Sequence, residues 1–439
     1  MSRAGRWWPE VVLLALLSGF VVLGADSVPF HPDETSWLFQ SRDTEILLTQ
    51  PLALAWRSDA PASAEMTYRL LNAPLAKYVF GAARALIRAP ASDVAVDWDW
   101  SRSWEENVAA GALPPSRVLA AARVASAVLV ALAVVVLYLC GRFLAGRGAG
   151  LAAAALLATN ALALLHGRRA MAEGALTFAI CLALLGLLHA DRHPWLAGVA
   201  TALAFAAKTS AAVWLPLGLI AAAWSPEPER RTTRAILGRV GAFTAAAIGV
   251  TLLLYPVLWG QPVQALAAMW RARQELVASQ VAVIGAAMPW AAPSGLGARA
   301  AALLVHLFFS PLQFAEAANY LAATAGNEAS YLALPGQTLF RGLAGGAVLL
   351  SLTILGVILG ARKVGGAPPA ARRALVLTLL GSAAQALALV WAVPLAFQRY
   401  VMPLVPLVCL WCGLALSDLV ELATRNRRPE SGPAAIETR

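Results

Sequence analysis

Residues 118–139 read VLAAARVASAVLVALAVVVLYL, and this stretch decides what kind of chain this is. It is almost wholly alanine, leucine and valine, and a run of about 20 apolar residues matches the hydrocarbon thickness of a bilayer. Similar runs recur from end to end. Cutting the chain at its polar breaks predicts spans near 8–25, 118–139, 148–165, 171–190, 195–207, 211–224, 235–259, 338–360, 374–394 and 400–420. With 59% hydrophobic and only 13% charged residues, the chain is read as an all-α polytopic membrane protein.

The net charge of +10 does not point to nucleic acid, because the basic residues sit in short loops beside the spans. Arg3 and Arg6, Arg142 and Arg147, Arg230, Arg231 and Arg234, Arg362, Lys363, Arg372 and Arg373, and Arg425, Arg427 and Arg428 form the pattern the positive-inside rule expects of cytoplasmic loops. All four cysteines, Cys140, Cys181, Cys409 and Cys412, fall in predicted spans. Cys409-Leu-Trp-Cys412 has redox or zinc spacing, but an apolar helix without nearby His or carboxylate suits neither. They are read as small packing residues. At the amino terminus, Arg3, Arg6, the apolar Val11–Gly24 and Gly24-Ala25-Asp26 have the parts of a cleavable signal. Trp7 and Trp8 lengthen the segment towards a full span, so an uncleaved anchor is expected.

Starting inside, the first span delivers residues 26–117 to the outer side, with amphipathic stretches Thr35–Trp56 and Thr67–Ile87 lying along the interface. Residues 195–224 are one long span or two short ones. Two, turning at Lys208-Thr209-Ser210, keep the basic loop 230–234 inside. Residues 260–337 then form a second large outer loop with an interfacial or re-entrant helix at Ala300–Phe314, and residues 421–439 a disordered cytoplasmic tail. This threading gathers Asp33, Glu34, Lys77, Arg168, Arg169, Glu173, Lys208 and Arg399 at one face. Ionisable groups at such depth are expensive and usually functional, although any one of them also reads as a charge snorkelling to water.

Four motifs carry a family resemblance. They are His31-Pro32-Asp33-Glu34 with Trp37; Arg69-Leu-Leu-Asn72-Ala-Pro74-Leu-Ala-Lys77-Tyr78; Arg123–Gly150 followed by His166-Gly-Arg-Arg-Ala-Met-Ala-Glu173; and Gln398-Arg399-Tyr400-Val-Met-Pro403-Leu-Val-Pro406. Together they resemble the type C glycosyltransferase (GT-C) superfamily, in its protein O-mannosyltransferase and aminoarabinose transferase branch. Ala73 stands where that branch has the first proline of a Pro-Pro-Leu segment. The match covers residues 1–220 and 375–420 and is weak over 260–337. It implies a GT-C-like catalytic domain over residues 1–420, a bundle of about ten or eleven transmembrane helices with interfacial helices in its first outer loop.

The resemblance further implies an inverting transfer of a hexose or pentose from a polyprenyl-phosphate donor to a hydroxyl of a protein, lipid or glycan on the outer side of the membrane, and the Ala-, Arg- and Trp-rich composition makes a bacterial cytoplasmic membrane the expectation. Asp33 is then the general base. Arg399, Lys77, Arg168, Arg169 and Lys208 are the cations for the departing phosphate, with Arg399 foremost. Glu34 and Glu173 are further catalytic acids. His31, His166, Tyr78 and Tyr400 are candidate substrate contacts. No cofactor is assigned, and a divalent metal on Asp33, Glu34 or Glu173 is left open.

Other readings stand beside these. Glu34 also reads as a helix cap, His31 and His166 as interfacial histidines, His306 as a satisfied core residue, and Lys208 as a turn cap. Trp98, Trp100 and Trp104 read equally as sugar-stacking or interface-anchoring residues. Glycines 141–150 lack the strand context and Lys-Ser/Thr ending of a phosphate loop. For the whole chain, the alternatives are a lipid or sugar transporter or flippase, and a non-catalytic member of the same fold.

Overall fold

The computed structural model describes residues 8–59, 61, 63–316 and 320–425. Arg3, Arg6, Trp7, Arg427 and Arg428 lie outside them, as does the expected tail from residue 426 on.

α1 (Trp8–Leu23) leads into the first outer segment, which folds as α2 (Pro32–Gln40), α3 (Asp43–Thr49), α4 (Ala64–Leu71), α5 (Leu75–Leu86) and α6 (Trp104–Ala109). The bundle continues with α7 (Ser116–Ala158), α8 (Ala161–His166), α9 (Ala172–His189), α10 (Pro194–Ala207), α11 (Trp214–Ala223) and α12 (Thr233–Leu254). α13 (Pro262–Ala287), α14 (Gly295–Leu304) and α15 (Leu321–Ala333) belong to the second large loop, and α16 (Gly342–Gly366), α17 (Pro369–Ala392) and α18 (Val405–Arg425) close the fold. Among the described residues there is no strand.

Among the described residues, seven helices are long and apolar enough to cross a membrane: α1, α7, α9, α12, α16, α17 and α18, the first and last with adjoining turns. α7 is in fact two helices that meet at a kink. Ala145 and Gly146 leave helical geometry, with Gly146 at φ +86°, a conformation glycine adopts without steric penalty. A Cβ on Gly141 would lie 2.8 Å from the Cα of Gly150, which a straight helix forbids, so the chain doubles back between arginines 142 and 147. α10 ends at Ala207 and Lys208 is extended, giving the two short spans the charge argument requires. Beside these seven, the described residues hold three shorter apolar helices, at 194–207, 209–223 and 295–309.

α7, α9 and α18 form the centre, where the alanines and glycines allow close packing. A Cβ on Gly413 would meet Ala149 O and Ala153 N at 2.7 Å. Cys140, Cys181, Cys409 and Cys412 are buried there as free thiols. Two expectations change. The second large loop contains the 26-residue α13, unforeseen because its residues show no clean amphipathic period. α18 runs to Arg425, past residue 421 where the tail was expected to start.

Candidate active site

The site begins with the way α2 starts. His31 caps the helix: its Nδ1 accepts the Asp33 N–H at 3.1 Å, while its own N–H is accepted by Glu34 Oε2 at 3.0 Å. Pro32 follows at the first helical position, where its missing N–H is no loss. This reciprocal cap fixes the first turn and turns Asp33 away from Glu34.

The two adjacent acids therefore separate in role. Glu34 is fully buried; it accepts Arg123 Nε at 2.8 Å and Nη2 at 2.7 Å, and Ala170 N–H at 2.9 Å. With its oxygens engaged by α7, by the α8–α9 connection and by the α2 cap, Glu34 is a tie between elements. The cap reading holds and the catalytic expectation for Glu34 is corrected. Asp33 keeps 23% of its side chain exposed and forms an ion pair with Arg399, just ahead of α18.

Arg399 also faces a residue no motif announced. Its Nε lies 3.3 Å from Glu316 Oε1, and Glu316 Oε2 meets His31 Nε2 at 2.6 Å. Because His31 Nδ1 accepts a backbone N–H, the ring proton sits on Nε2 and is donated to Glu316. Gln313 and Gln398 lock the Glu316 segment in place. Each side-chain oxygen accepts the other's backbone N–H at 2.8 Å. Arg169 adds a second clasp, donating to Pro29 O at 3.1 Å and Phe314 O at 2.9 Å. Nothing in Gln313-Phe-Ala-Glu316 signals this role locally. Arg123 did carry a signal, as a charge inside the apolar run 118–139.

Lys208 and Glu173 complete the cluster. Lys208 Nζ bonds Glu173 Oε1 at 2.6 Å. The Tyr400 ring joins the two halves, with Lys208 Nζ 5.2 Å and the Arg399 guanidinium 5.5 Å from its centroid. Asp33, His31, Glu173, Lys208, Arg399 and Tyr400 are thus brought together, with Arg169 and His166 buried beside them. Arg169 Nη1 and Glu173 Oε2 are buried without a hydrogen-bond partner among the described residues.

The electrostatics follow from this geometry. Burial pushes the Asp33 carboxyl up, but Arg399 and then His31 outweigh it and hold it below the usual range. Glu316 is held well below that range against its burial, by Arg399 first and His31 next. Both are carboxylates at neutral pH.

Three other expected site residues lie elsewhere. Lys77 is buried and bonds Asp43 at 2.6 Å, where Arg69 also binds at 2.7 Å. Burial lowers the affinity of its ammonium for a proton, and Asp43 only partly restores it. Tyr78 lines the same small cavity, with Asp43 and Tyr255. Arg168 donates to Phe20 O and Val21 O at 2.8 Å, capping carbonyls that the end of α1 leaves unpaired. The structure does not bring these three to the Asp33 cluster: Lys77 and Arg168 are engaged by Asp43 and by the carbonyls of α1, and the Tyr78 hydroxyl is buried without a hydrogen-bond partner among the described residues. Trp98 is buried against Phe30 and Trp104, so it is core of the outer segment. His306 is half-buried, its Nδ1 3.4 Å from the Ser310 hydroxyl.

The expected metal set Asp33, Glu34 and Glu173 does not converge. Each is neutralised by its own cation, and among the described residues no group of three or more His, Cys, Asp or Glu side chains is placed to hold a metal. These residues do not fit a resident metal.

The family described as dolichyl-phosphate-mannose-protein mannosyltransferase matches residues 116–259, about a third of the chain. No curated protein matches. Among solved structures, the Archaeoglobus fulgidus oligosaccharyltransferase AglB aligns over 100% of this chain and 53% of its own, at TM-score 0.53 and 14% identity. The chain has the GT-C fold. The same archaeal enzyme in its apo form aligns over 97% of this chain and 52% of its own, at TM-score 0.52 and 14% identity. The Saccharomyces cerevisiae O-mannosyltransferase complex Pmt1-Pmt2 aligns over 59% of this chain and 34% of its own, at 19% identity and TM-score 0.40. This GT-C chain spans about half the length of the archaeal structures it matches.

Proposed function

We propose that the protein is an inverting glycosyltransferase that moves a sugar from a polyprenyl-phosphate donor to a hydroxyl acceptor on the outer side of the membrane. The observation that carries the reading is Arg399 held between Asp33 and Glu316. It sets a carboxylate base beside a fixed cation in a largely dehydrated cluster, where charge stabilisation is strongest. The matched family is named for a dolichyl-phosphate sugar, and AglB was solved with dolichol-phosphate and an inhibitory peptide; both support a polyprenyl-type donor.

In the reaction, Asp33 takes the proton of the acceptor hydroxyl. The acceptor oxygen bonds to the anomeric carbon as the bond from that carbon to the phosphate oxygen breaks, and polyprenyl phosphate leaves as an anion. Arg399, with Lys208 and Arg169 near it, stabilises that anion. Because the phosphate competes with Asp33 for Arg399, donor binding loosens the resting ion pair and frees the base. Glu316 and His31 hold the guanidinium in place, and Glu173 orients Lys208. The basic loops at the opposite end of the bundle support an outer-facing site.

The test is turnover by the purified protein in detergent, with a synthetic polyprenyl-phosphate sugar and a panel of hydroxyl acceptors. Release of polyprenyl phosphate that Asp33→Asn abolishes supports the reading. Vesicles that move the lipid-linked sugar across the bilayer without cleaving it would show a transporter instead.

A further inference from the structure

Trp98 and Trp104 pack on Phe30, but Trp100 between them stays outside the core, 43% exposed against 3% for Trp98. The turn that carries it is tightly built. Arg102 N–H donates to Asp99 O at 3.2 Å, and the Asp99 carboxylate accepts the Ser101 N–H at 2.9 Å and its hydroxyl at 2.6 Å, the local bonding that suits aspartate to start a turn. Asn107, buried beneath, locks the turn from inside. Its Oδ1 accepts the Asp99 N–H at 2.9 Å, and its Nδ2 donates to Asp99 O and Ser103 O, each at 2.9 Å. An exposed indole held this firmly loses little freedom when a ligand covers it.

The turn is also fixed to the catalytic one. The Asp97 carboxylate accepts the Ser36 hydroxyl at 2.7 Å and the Tyr68 hydroxyl at 2.5 Å, and Ser36 lies one helical turn along α2 from Asp33. Trp98 and Trp104 bear on Phe30, the neighbour of His31. From the other side, the Trp100 ring meets Tyr320 edge-on at 6.2 Å, and Tyr320 meets His31 in the same way at 5.6 Å. Two ring contacts thus separate Trp100 from the histidine that caps Asp33.

The surroundings of the indole narrow its occupant. Glu105 and Glu106 are exposed, the Asp99 side chain is 41% exposed, and Arg102 is paired with Asp99 at 3.2 Å. Such acidic company opposes both a seat among anionic headgroups and an anionic ligand. A neutral sugar ring suits it, with its C–H face on the indole and its hydroxyls donating to carboxylates. We infer that Trp100 is the stacking platform for a sugar unit of the acceptor, which makes the acceptor an uncharged glycan whose neighbouring unit offers its hydroxyl to Asp33. This rests on the sugar transfer proposed above.

The test is saturation-transfer NMR on the full chain in lipid nanodiscs, which avoid sugar-based detergents. The probes are maltotriose, cellotriose and mannotriose, with the peptide acetyl-Ala-Thr-Ala-amide beside them and no donor present. At least one trisaccharide should bind, and Trp100→Ala should weaken it at least about tenfold. Trp100→Phe should keep part of the binding, and Trp195→Ala, which removes another exposed tryptophan, should keep all of it. Failure of all three sugars to bind, binding unchanged in Trp100→Ala, or Trp100-dependent binding of the peptide instead would each overturn the inference. Donor cleavage is assayed on the same samples. Trp100-dependent sugar binding without any donor cleavage would support the platform and remove the transfer reading alone.

Discussion

Asp33 and Arg399 stand 366 positions apart in the chain and form an ion pair. The first comes from the turn that starts α2, the second from the turn that precedes α18. A cation and base from opposite ends of a chain meet only if the bundle between them closes, so the pair ties the fold to the proposed chemistry.

Arg399 sets the proton affinity of the base, which gives a pH prediction. Its charge outweighs the effect of burial and holds Asp33 below the usual carboxylate range. Wild-type kcat/KM should therefore stay flat with acidification down to about pH 4, the ordinary aspartate value. In Arg399→Gln the burial remains and the cation is gone, so the acid limb should move upward. A pH–rate profile for both proteins checks this; coincident acid limbs would exclude Asp33 as the titrating group.

Glu34 is expected to matter for stability rather than turnover. Glu34→Ala leaves Arg123 buried without its partner, a loss of about 3–5 kcal/mol, seen as a large fall in Tm in detergent. Joint replacement by Glu34→Leu and Arg123→Met should recover much of it, because both charges leave together. Folded Glu34→Ala protein, once stabilised by lipid, should retain measurable transfer.

Lys208 and Lys77 should part company in kinetics. Lys208→Met removes a cation beside Tyr400 and is expected to raise the donor KM about tenfold or more, the range of a charged hydrogen bond. Lys77→Met should lower Tm and leave the donor KM unchanged, since Lys77 serves Asp43. Steady-state kinetics with varied donor separates the two outcomes.

Glu316→Gln keeps the shape of the site but takes a counter-charge away from Arg399 and replaces the charged acceptor of His31 by a neutral amide. Transfer should fall and Tm should fall with it, because the buried carboxylate contributes stability through Arg399 and His31; Glu316→Asp, which keeps the charge, should recover more of the Tm than of the transfer. The stability of this region also carries a sign. Asp33 and Glu316 are depressed in the folded chain, so their contribution is complete above the unfolded carboxylate pKa and is lost as acidification proceeds through the folded values. Tm should be flat near neutrality and fall below about pH 4.

Much of this was legible in the sequence. Span lengths follow from bilayer thickness, and the direction of each loop from its arginines, so the hairpin at Gly146 and the break at Lys208 were both predictable. Asp33, Glu173, Lys208 and Arg399 stood out as charges in unfavourable places. The misassignments share one cause. Arg168, Lys77 and Glu34 carry the same cost of burial as a catalytic residue, but they repay it with local partners: two carbonyls of α1, Asp43, and Arg123. Only the three-dimensional partner distinguishes the cases. Glu316 was hidden for the opposite reason, since it lies in an irregular segment with no period or motif and gains its place from the distant Gln313–Gln398 clasp.

The most direct test is a double-mutant cycle of Asp33→Asn and Arg399→Gln in single-turnover transfer from a polyprenyl-phosphate sugar. Each single change should slow transfer at least about a hundredfold, and the double variant should be scarcely slower than the worse single one, because the two act as a unit. Strictly multiplicative losses, or an Asp33→Asn protein that transfers at the wild-type rate, would contradict the account.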